Sequence, residues 1–199
     1  MKKLLPGYTW QKSTAEKTLY ITFDDGPILE VTPFVLDKLK EHDAKATFFC
    51  VGDNLSKHSE IGARALSEGH VLANHTYNHL KGWQTPATVY KQNIDLCEQE
   101  LKKLQVNNKL FRPPYGRITG KQATQLRKAG YELIMWDVLT NDYDNNLSPE
   151  VCLQKSIQYT ENGSIIVFHD SLKAQHNMMY VLPRYLEHFA AQGYTFKAL

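Results

Sequence analysis

Two adjacent aspartates, Asp24-Asp25, precede Gly26-Pro27, and further along the chain His75 and His79 stand four residues apart. On one helical turn, two imidazoles at that spacing project from the same side and can share one ion. The same five residues also suit a solvent-facing turn in which Asn74 and Asn78 make local hydrogen bonds. A carboxylate would favour the ion, because two histidines and one carboxylate with an open position form a common catalytic metal set. Asp24-Asp25 offers one to spare. Neighbouring residues at a strand end point in opposite directions, so one aspartate can bind the ion while the other faces the water beside it. Taken alone, Asp-Gly-Pro is ordinary turn chemistry.

Two further stretches carry groups suited to acid–base work. Arg112-Pro113-Pro114-Tyr115-Gly116 has a backbone stiffened by two prolines, which can hold an arginine and a free N–H in place. An arginine beside a carboxylate keeps it ionised. A rigid surface loop is the plainer reading of the same residues. His169 ends the apolar run Ile165-Ile166-Val167-Phe168, where a partly buried imidazole resists protonation unless a carboxylate compensates. Asp142 or Asp137 could supply that carboxylate, or His169 could simply close the strand.

These groups need elements to bring them together. The apolar and β-branched runs predict strands at 19–23, 46–51, 71–74, 110–111, 131–136, 164–168 and 194–197. Helix-period segments fall between them at 33–42, 59–69, 86–104, 120–128 and 178–191, with another opened by Ser148 and Pro149 as cap and first turn. Alternation of this kind indicates a mostly parallel sheet. Seven strands in so short a chain favour a reduced barrel over an open sheet with two edges. Active sites of parallel β/α barrels lie at the carboxyl ends of the strands. Asp24 and Asp25, His75 and His79, Arg112, Asp137 with Asp142, and His169 with Asp170 all follow predicted strands, so five strand ends would converge on one face.

The 199 residues suffice for one sizeable core, taken here as residues 19–199 after an N-terminal extension, 1–18. Lys and Arg number 23 against 21 Asp and Glu, without a basic cluster among aromatics, so no nucleic-acid partner is expected. No run approaches the roughly 18 apolar residues of a membrane span, and no membrane partner is expected. Pro6-Gly7 interrupts the opening Met1-Lys2-Lys3-Leu4-Leu5 before an export signal develops, which gives the expectation of a cytoplasmic protein. Cys50, Cys97 and Cys152 are odd in number and widely spaced, unlike a disulfide framework or a thiolate site. Oligomeric state leaves no mark in the pattern.

In order along the chain, these segments resemble the motifs of the polysaccharide deacetylase family, the NodB homology domain of carbohydrate esterase family 4. Thr22-Phe23-Asp24-Asp25-Gly26-Pro27 is similar to its first motif, Ala46-Thr47-Phe48-Phe49 to its second strand and His75-Thr76-Tyr77-Asn78-His79 to its metal motif. Arg112-Pro113-Pro114-Tyr115-Gly116, Trp136-Asp137 through Asp142-Tyr143, and Ile166-Val167-Phe168-His169 resemble the rest. The resemblance implies an α/β fold, a distorted (β/α)7 barrel, with a divalent ion, usually Zn2+, held by Asp25, His75 and His79. Such ligands also accept Co2+, Ni2+ or Fe2+. It further implies Asp24 as general base, Arg112 holding it, His169 as acid supported by Asp142, and the N–H of Tyr115 at the oxyanion. Tyr115, Pro114, Tyr143 and Phe168 would contact substrate. Tyr143 stands where the family often has tryptophan, so the pocket around the acetyl group is expected to differ. The implied partner is an acetylated carbohydrate of the N-acetylglucosamine type, as in chitooligosaccharide or peptidoglycan. An O-acetyl esterase, as for xylan, another amide hydrolase and a non-catalytic carbohydrate binder are the alternatives.

Overall fold

The computed structural model describes residues 7–199, so the opening stretch weighed as an export signal lies outside it. In chain order the elements are β1 (Thr18–Asp25), α1 (Thr32–Glu41), β2 (Ala46–Cys50), α2 (Gly52–Lys57), α3 (Ser59–Ser67), β3 (Val71–Asn74), α4 (Ala87–Lys103) and β4 (Leu110–Phe111). There follow α5 (Gly120–Lys128), β5 (Glu132–Leu133), β6 (Val138–Leu139), α6 (Pro149–Tyr159), β7 (Ile165–His169), α7 (Gln175–Ala190) and β8 (Thr195–Phe196). The strands pair in parallel in the order β5-β4-β3-β2-β1-β7-β6, with β8 also on β1. They form a half-barrel surrounded by helices, the distorted barrel that the motifs implied. None of the helices among the described residues is long and apolar enough to cross a membrane.

Alternation along the strands separates two environments. Ile21, Phe23, Phe48, Ile166 and Phe168 face the helices, where Phe23 stacks on Phe48 at 5.0 Å and on Phe168 at 5.8 Å. Thr22, Asp24, Phe49 and His169 take the other face, inside the barrel. Ladder register then sets their height. Asp24 pairs with His169, while Asp25, Cys50, Asn74 and Phe111 form the last rungs of four adjacent strands. The next residues, His75 and Arg112 among them, therefore stand together at the carboxyl rim.

Three departures from expectation have local causes. Helix α2 is only six residues long and begins Gly-Asp-Asn, a poor helix signal. The strand expected over 131–136 stops at Leu133, because the carbonyls of Ile134 and Met135 turn to the Arg112 side chain. Strand β6 has two residues, too few to show a period, and pairs with Ile166 and Val167 of β7.

Strands β5 and β6 are consecutive in sequence yet lie at opposite ends of the sheet. The N-terminal segment runs across this opening. Thr9 N–H donates to Leu133 O at 2.8 Å, Met135 N–H donates to Thr9 O at 2.7 Å, and Lys12 N–H donates to Gly163 O at 2.9 Å. Gly163 has φ +82°, and a Cβ there would sit 2.0 Å from the carbonyl oxygen of Lys12. Gly163→Ala is therefore expected to lower unfolding stability by about 1–3 kcal/mol, the cost of a strained backbone site. A urea midpoint equal to wild type would show that this contact contributes nothing.

Candidate active site

Asp24, Asp25, His75, His79, Tyr115, Tyr143 and His169 all line one cavity of about 620 Å³ at the carboxyl rim. Arg112 and Asp142 lie directly behind it, fully buried. Asp25 Oδ1 is 3.3 Å from His79 Nε2 and 4.0 Å from His75 Nε2. One ligand atom from each of the three residues lies within 4.8 Å of the others. This donor set fits a divalent cation. His75 Nδ1 donates to the Arg112 carbonyl at 2.7 Å, which leaves the Nε2 lone pair facing Asp25. Burial lowers the His75 pKa to about 4, against the pull of Asp24, so the ring remains a neutral donor.

The two histidines do not share a helical turn, as their spacing predicted. Thr76 (φ 66°) and His79 (φ 54°) are left-handed, and the segment is an irregular turn. Helix α4 shapes it instead. Asn93 Oδ1 accepts the N–H groups of Tyr77 and Asn78, both at 2.9 Å, and Asn93 Nδ2 donates to Asn78 Oδ1 at 2.8 Å. Asn74 accepts from Thr76 N–H and donates to Ile94 O, both at 2.9 Å. Buried Asn74 and Asn93 thus clamp the turn to α4, while Asn78 is exposed and joins through its bond to Asn93.

Asp24 and His169 carry the opposed electrostatics. Arg112 Nη1 donates to Asp24 Oδ1 at 2.6 Å and to Thr22 Oγ1 at 2.8 Å. Burial alone would raise the Asp24 pKa, but the Arg112 charge and hydrogen bond, with the His169 charge, hold it below the usual carboxylate range. His169 Nδ1 lies 2.7 Å from Asp142 Oδ1, and the His169 N–H donates to Asp142 Oδ2 at 2.8 Å. Burial would lower the His169 pKa. The Asp142 charge and hydrogen bond reverse this and push it up to about 9. Tyr143 packs edge-on against His169 at 5.0 Å, in the place where tryptophan is common.

Of the two candidate partners for His169, the structure selects Asp142. Asp137 lies at the amino end of β6 and β7, where it accepts from Ser164 Oγ and Ile165 N–H, both at 2.7 Å. Phe168 as a substrate contact is corrected: it is fully buried, because a strand that aims His169 into the cavity aims Phe168 at the helices. Pro114 is buried and outside the cavity lining, so it shapes the loop rather than offering a surface. Asp170 turns away from the cavity to accept from Gly26 N–H at 2.9 Å and Thr32 Oγ1 at 2.7 Å. Trp136, Leu139, Ser171 and Lys173 also line the cavity and were not singled out from sequence. Trp136 had a signal in its motif, whereas Lys173 follows the strand end in a segment without pattern.

The clamp on the histidine turn gives a measurable expectation. Asn93→Ala should weaken zinc binding by about 10–100-fold, as loss of groups that orient ligands does. Competition with a chromophoric chelator measures this, with circular dichroism confirming the fold. Unchanged affinity would remove Asn93 from that role.

Residues 11–134 match the family model described as polysaccharide deacetylase. A peptidoglycan-N-acetylglucosamine deacetylase of Bacillus cereus is 38% identical over 152 residues, covering 76% of this chain and 55% of that protein. The chain thus spans little more than half the length of that relative. A second Bacillus cereus protein of the same name is 32% identical over 198 residues, with 98% and 93% covered. The solved structure of a peptidoglycan N-acetylglucosamine deacetylase in complex with 4-naphthalen-1-yl-N-oxidanyl-benzamide superimposes with a TM-score of 0.91 at 31% identity, over 97% of this chain and 91% of that one. With the family model spanning more than half its residues and the same barrel in a solved relative, the chain belongs to the polysaccharide deacetylase family.

Proposed function

We propose that the chain hydrolyses the N-acetyl group of N-acetylglucosamine-type glycans, using Asp24 as base and His169 as acid. The observation that carries this reading is the placement of these two side chains. They are register partners on adjacent strands, face one cavity, and have pKa values driven in opposite directions. Pairs of titratable groups pushed apart in this way are suited to acid and base roles at the same pH. The names of the relatives support the acetamido substrate.

Asp24 Oδ1 is engaged by Arg112, so Oδ2 is the oxygen free to take a proton from water. The water oxygen attacks the acetyl carbonyl carbon. In the Arg112–Gly116 loop the first turn bond runs from Gly116 N–H to Pro113 O, so the Tyr115 N–H precedes it and can donate to the developing oxyanion. Asp142 occupies Nδ1 of His169, leaving Nε2–H to protonate the sugar nitrogen as the C–N bond breaks. Acetate and a free amine result. A divalent cation held by Asp25, His75 and His79 would polarise the acetyl carbonyl as a Lewis acid.

Acetate release across chitooligosaccharides, peptidoglycan fragments and acetylated xylan, with and without chelator, tests the reading. The expected result is release from the N-acetylated substrates, suppressed by chelator. Release from xylan alone would make the chain an O-acetyl esterase. Asp24→Asn should lower kcat by about 10²–10⁴-fold, the usual share of a general base, and undiminished turnover would overturn the mechanism.

The pH profile gives a second test. His169 must be protonated to act as acid, and its raised pKa keeps it so until the pH passes about 9, where activity should fall. Asp142→Asn removes the group that raises this pKa, so the alkaline limb should move to lower pH. A limb that stays in place would exclude His169 as the acid.

A further inference from the structure

At the floor of the cavity Asp24 is paired with Arg112 and Asp142 with His169, while Asp25 stands beside His79 in the donor set. Its mouth is different. Lys173 lines the cavity with its ammonium 5.3 Å from the centre of the Tyr143 ring, which itself packs on His169. From the metal set a row of rings runs from His79 to Tyr115 at 4.7 Å, then from Tyr115 to Trp83 at 5.6 Å. The Arg117 guanidinium lies 5.0 Å from the Trp83 ring and the Lys81 ammonium 5.7 Å from the Tyr115 ring.

All three cations are exposed, and no carboxylate of the described residues lies within 4.0 Å of any of them. Lys57, Lys91, Lys102, Lys103 and Lys109, by contrast, each have an acid partner. A cation resting on a ring keeps its full charge for a ligand. The Trp83 wall is also rigidly built. Buried Gln122 donates from Nε2 to Gly82 O at 2.8 Å and to Thr85 O at 3.1 Å, while its Oε1 accepts from Thr119 N–H at 2.8 Å. One side chain thus caps α5 and fixes the Trp83 turn against it. A Cβ on Gly82 would come within 2.7 Å of Ile118, so that turn has no room to shift inward.

We infer that Lys173 at the cavity lining, with Lys81 and Arg117 on the Tyr115 and Trp83 rings, selects acetylated glycans that carry an anionic substituent, a carboxylate or a phosphate, next to the acetylated sugar. The inference rests on the deacetylase reading for its substrate. The aromatic ledge receives the neighbouring sugar, and the cations take the charge.

The test compares three probes: a neutral chitooligosaccharide, an oligomer alternating N-acetylglucosamine with N-acetylmuramic acid bearing free carboxylates, and a phosphate-substituted N-acetylglucosamine oligomer. Wild-type kcat/KM for one or both anionic probes should exceed that for the neutral one by about tenfold, the loss or gain that a charge-assisted hydrogen bond carries. In the double variant Lys173→Gln, Arg117→Gln the ratio should fall toward one. The preference should also shrink between about 0.05 M and 0.5 M salt, since exposed charges are screened. The arm that retains the preference names the anion. Equal rates on all probes, or a preference that survives both substitutions, overturns the inference. If no probe releases acetate, the deacetylase reading fails instead. Calorimetric binding of the same probes to Asp24→Asn protein, with and without the two glutamines, then decides whether the mouth selects charge.

Discussion

The contact on which the site depends is the ion pair between Arg112 and Asp24, with Arg112 fully buried and Asp24 at the floor of the cavity. Removing a guanidinium and a carboxylate from water costs several kcal/mol per ion, and only good geometry with saturated donors offsets it. Here the donors are taken up by Asp24, Thr22 and the carbonyls of Met135 and Ile134, and the guanidinium lies 4.1 Å from the centre of the Phe49 ring. The same residue accepts from His75 through its own carbonyl. Arg112 therefore joins the proposed base, Asp24, to an imidazole of the candidate metal site. The interior residues around it, from β1, β2 and the 134–136 segment, are arranged to receive a charge.

Around this pair the rim is built from backbone in a conformation that costs free energy. Asp25 (φ 88°), Thr76, His79, Tyr115 (φ 59°) and Asn141 are all left-handed without being glycine. Such positions cost on the order of 1–3 kcal/mol each and persist only where their surroundings over-determine them. The surroundings do so. Asn54 Nδ2 donates to Asp25 O at 2.8 Å, Asn93 holds the histidine turn, and two prolines precede Tyr115. Gly26 has no space for a Cβ because the Asp170 carboxylate fills it, which fixes the turn after Asp25 from behind. Burial pushes the Asp170 pKa up to about 8, in keeping with a group whose contacts are protein rather than water.

Asp24 and His169 share this floor but meet opposite partners, a guanidinium for one and a carboxylate for the other. Neither effect needs a long-range field, because each partner is within hydrogen-bond distance. The mouth above them is positive for a different reason, namely that its cations rest on aromatic rings instead of acids. In the proposed reading, the paired groups of the floor carry the chemistry and the cations of the rim meet what surrounds the acetyl group.

The order of apolar runs in the sequence was enough to determine β1, β2, β3, β4 and β7, and with them the strand ends where Asp24, Asp25, His75, Arg112 and His169 stand. Residue types alone also determined the chemistry available, since two imidazoles and a carboxylate suit an ion wherever they meet. Alternation already implied that Phe168 and His169 face opposite ways, and it is the tertiary packing of Phe168 on Phe23 and Tyr185 that shows which way each points. The histidine spacing was legible but its geometry was not, because the turn is set by Asn93, a residue of another element. The choice between Asp137 and Asp142 likewise rested on a two-residue strand. Pairing of Val138 and Leu139 with Ile166 and Val167 sends Asp137 to the amino end and Asp142 to the carboxyl end. Register belongs to two segments distant in the chain, so it exists only once they have met.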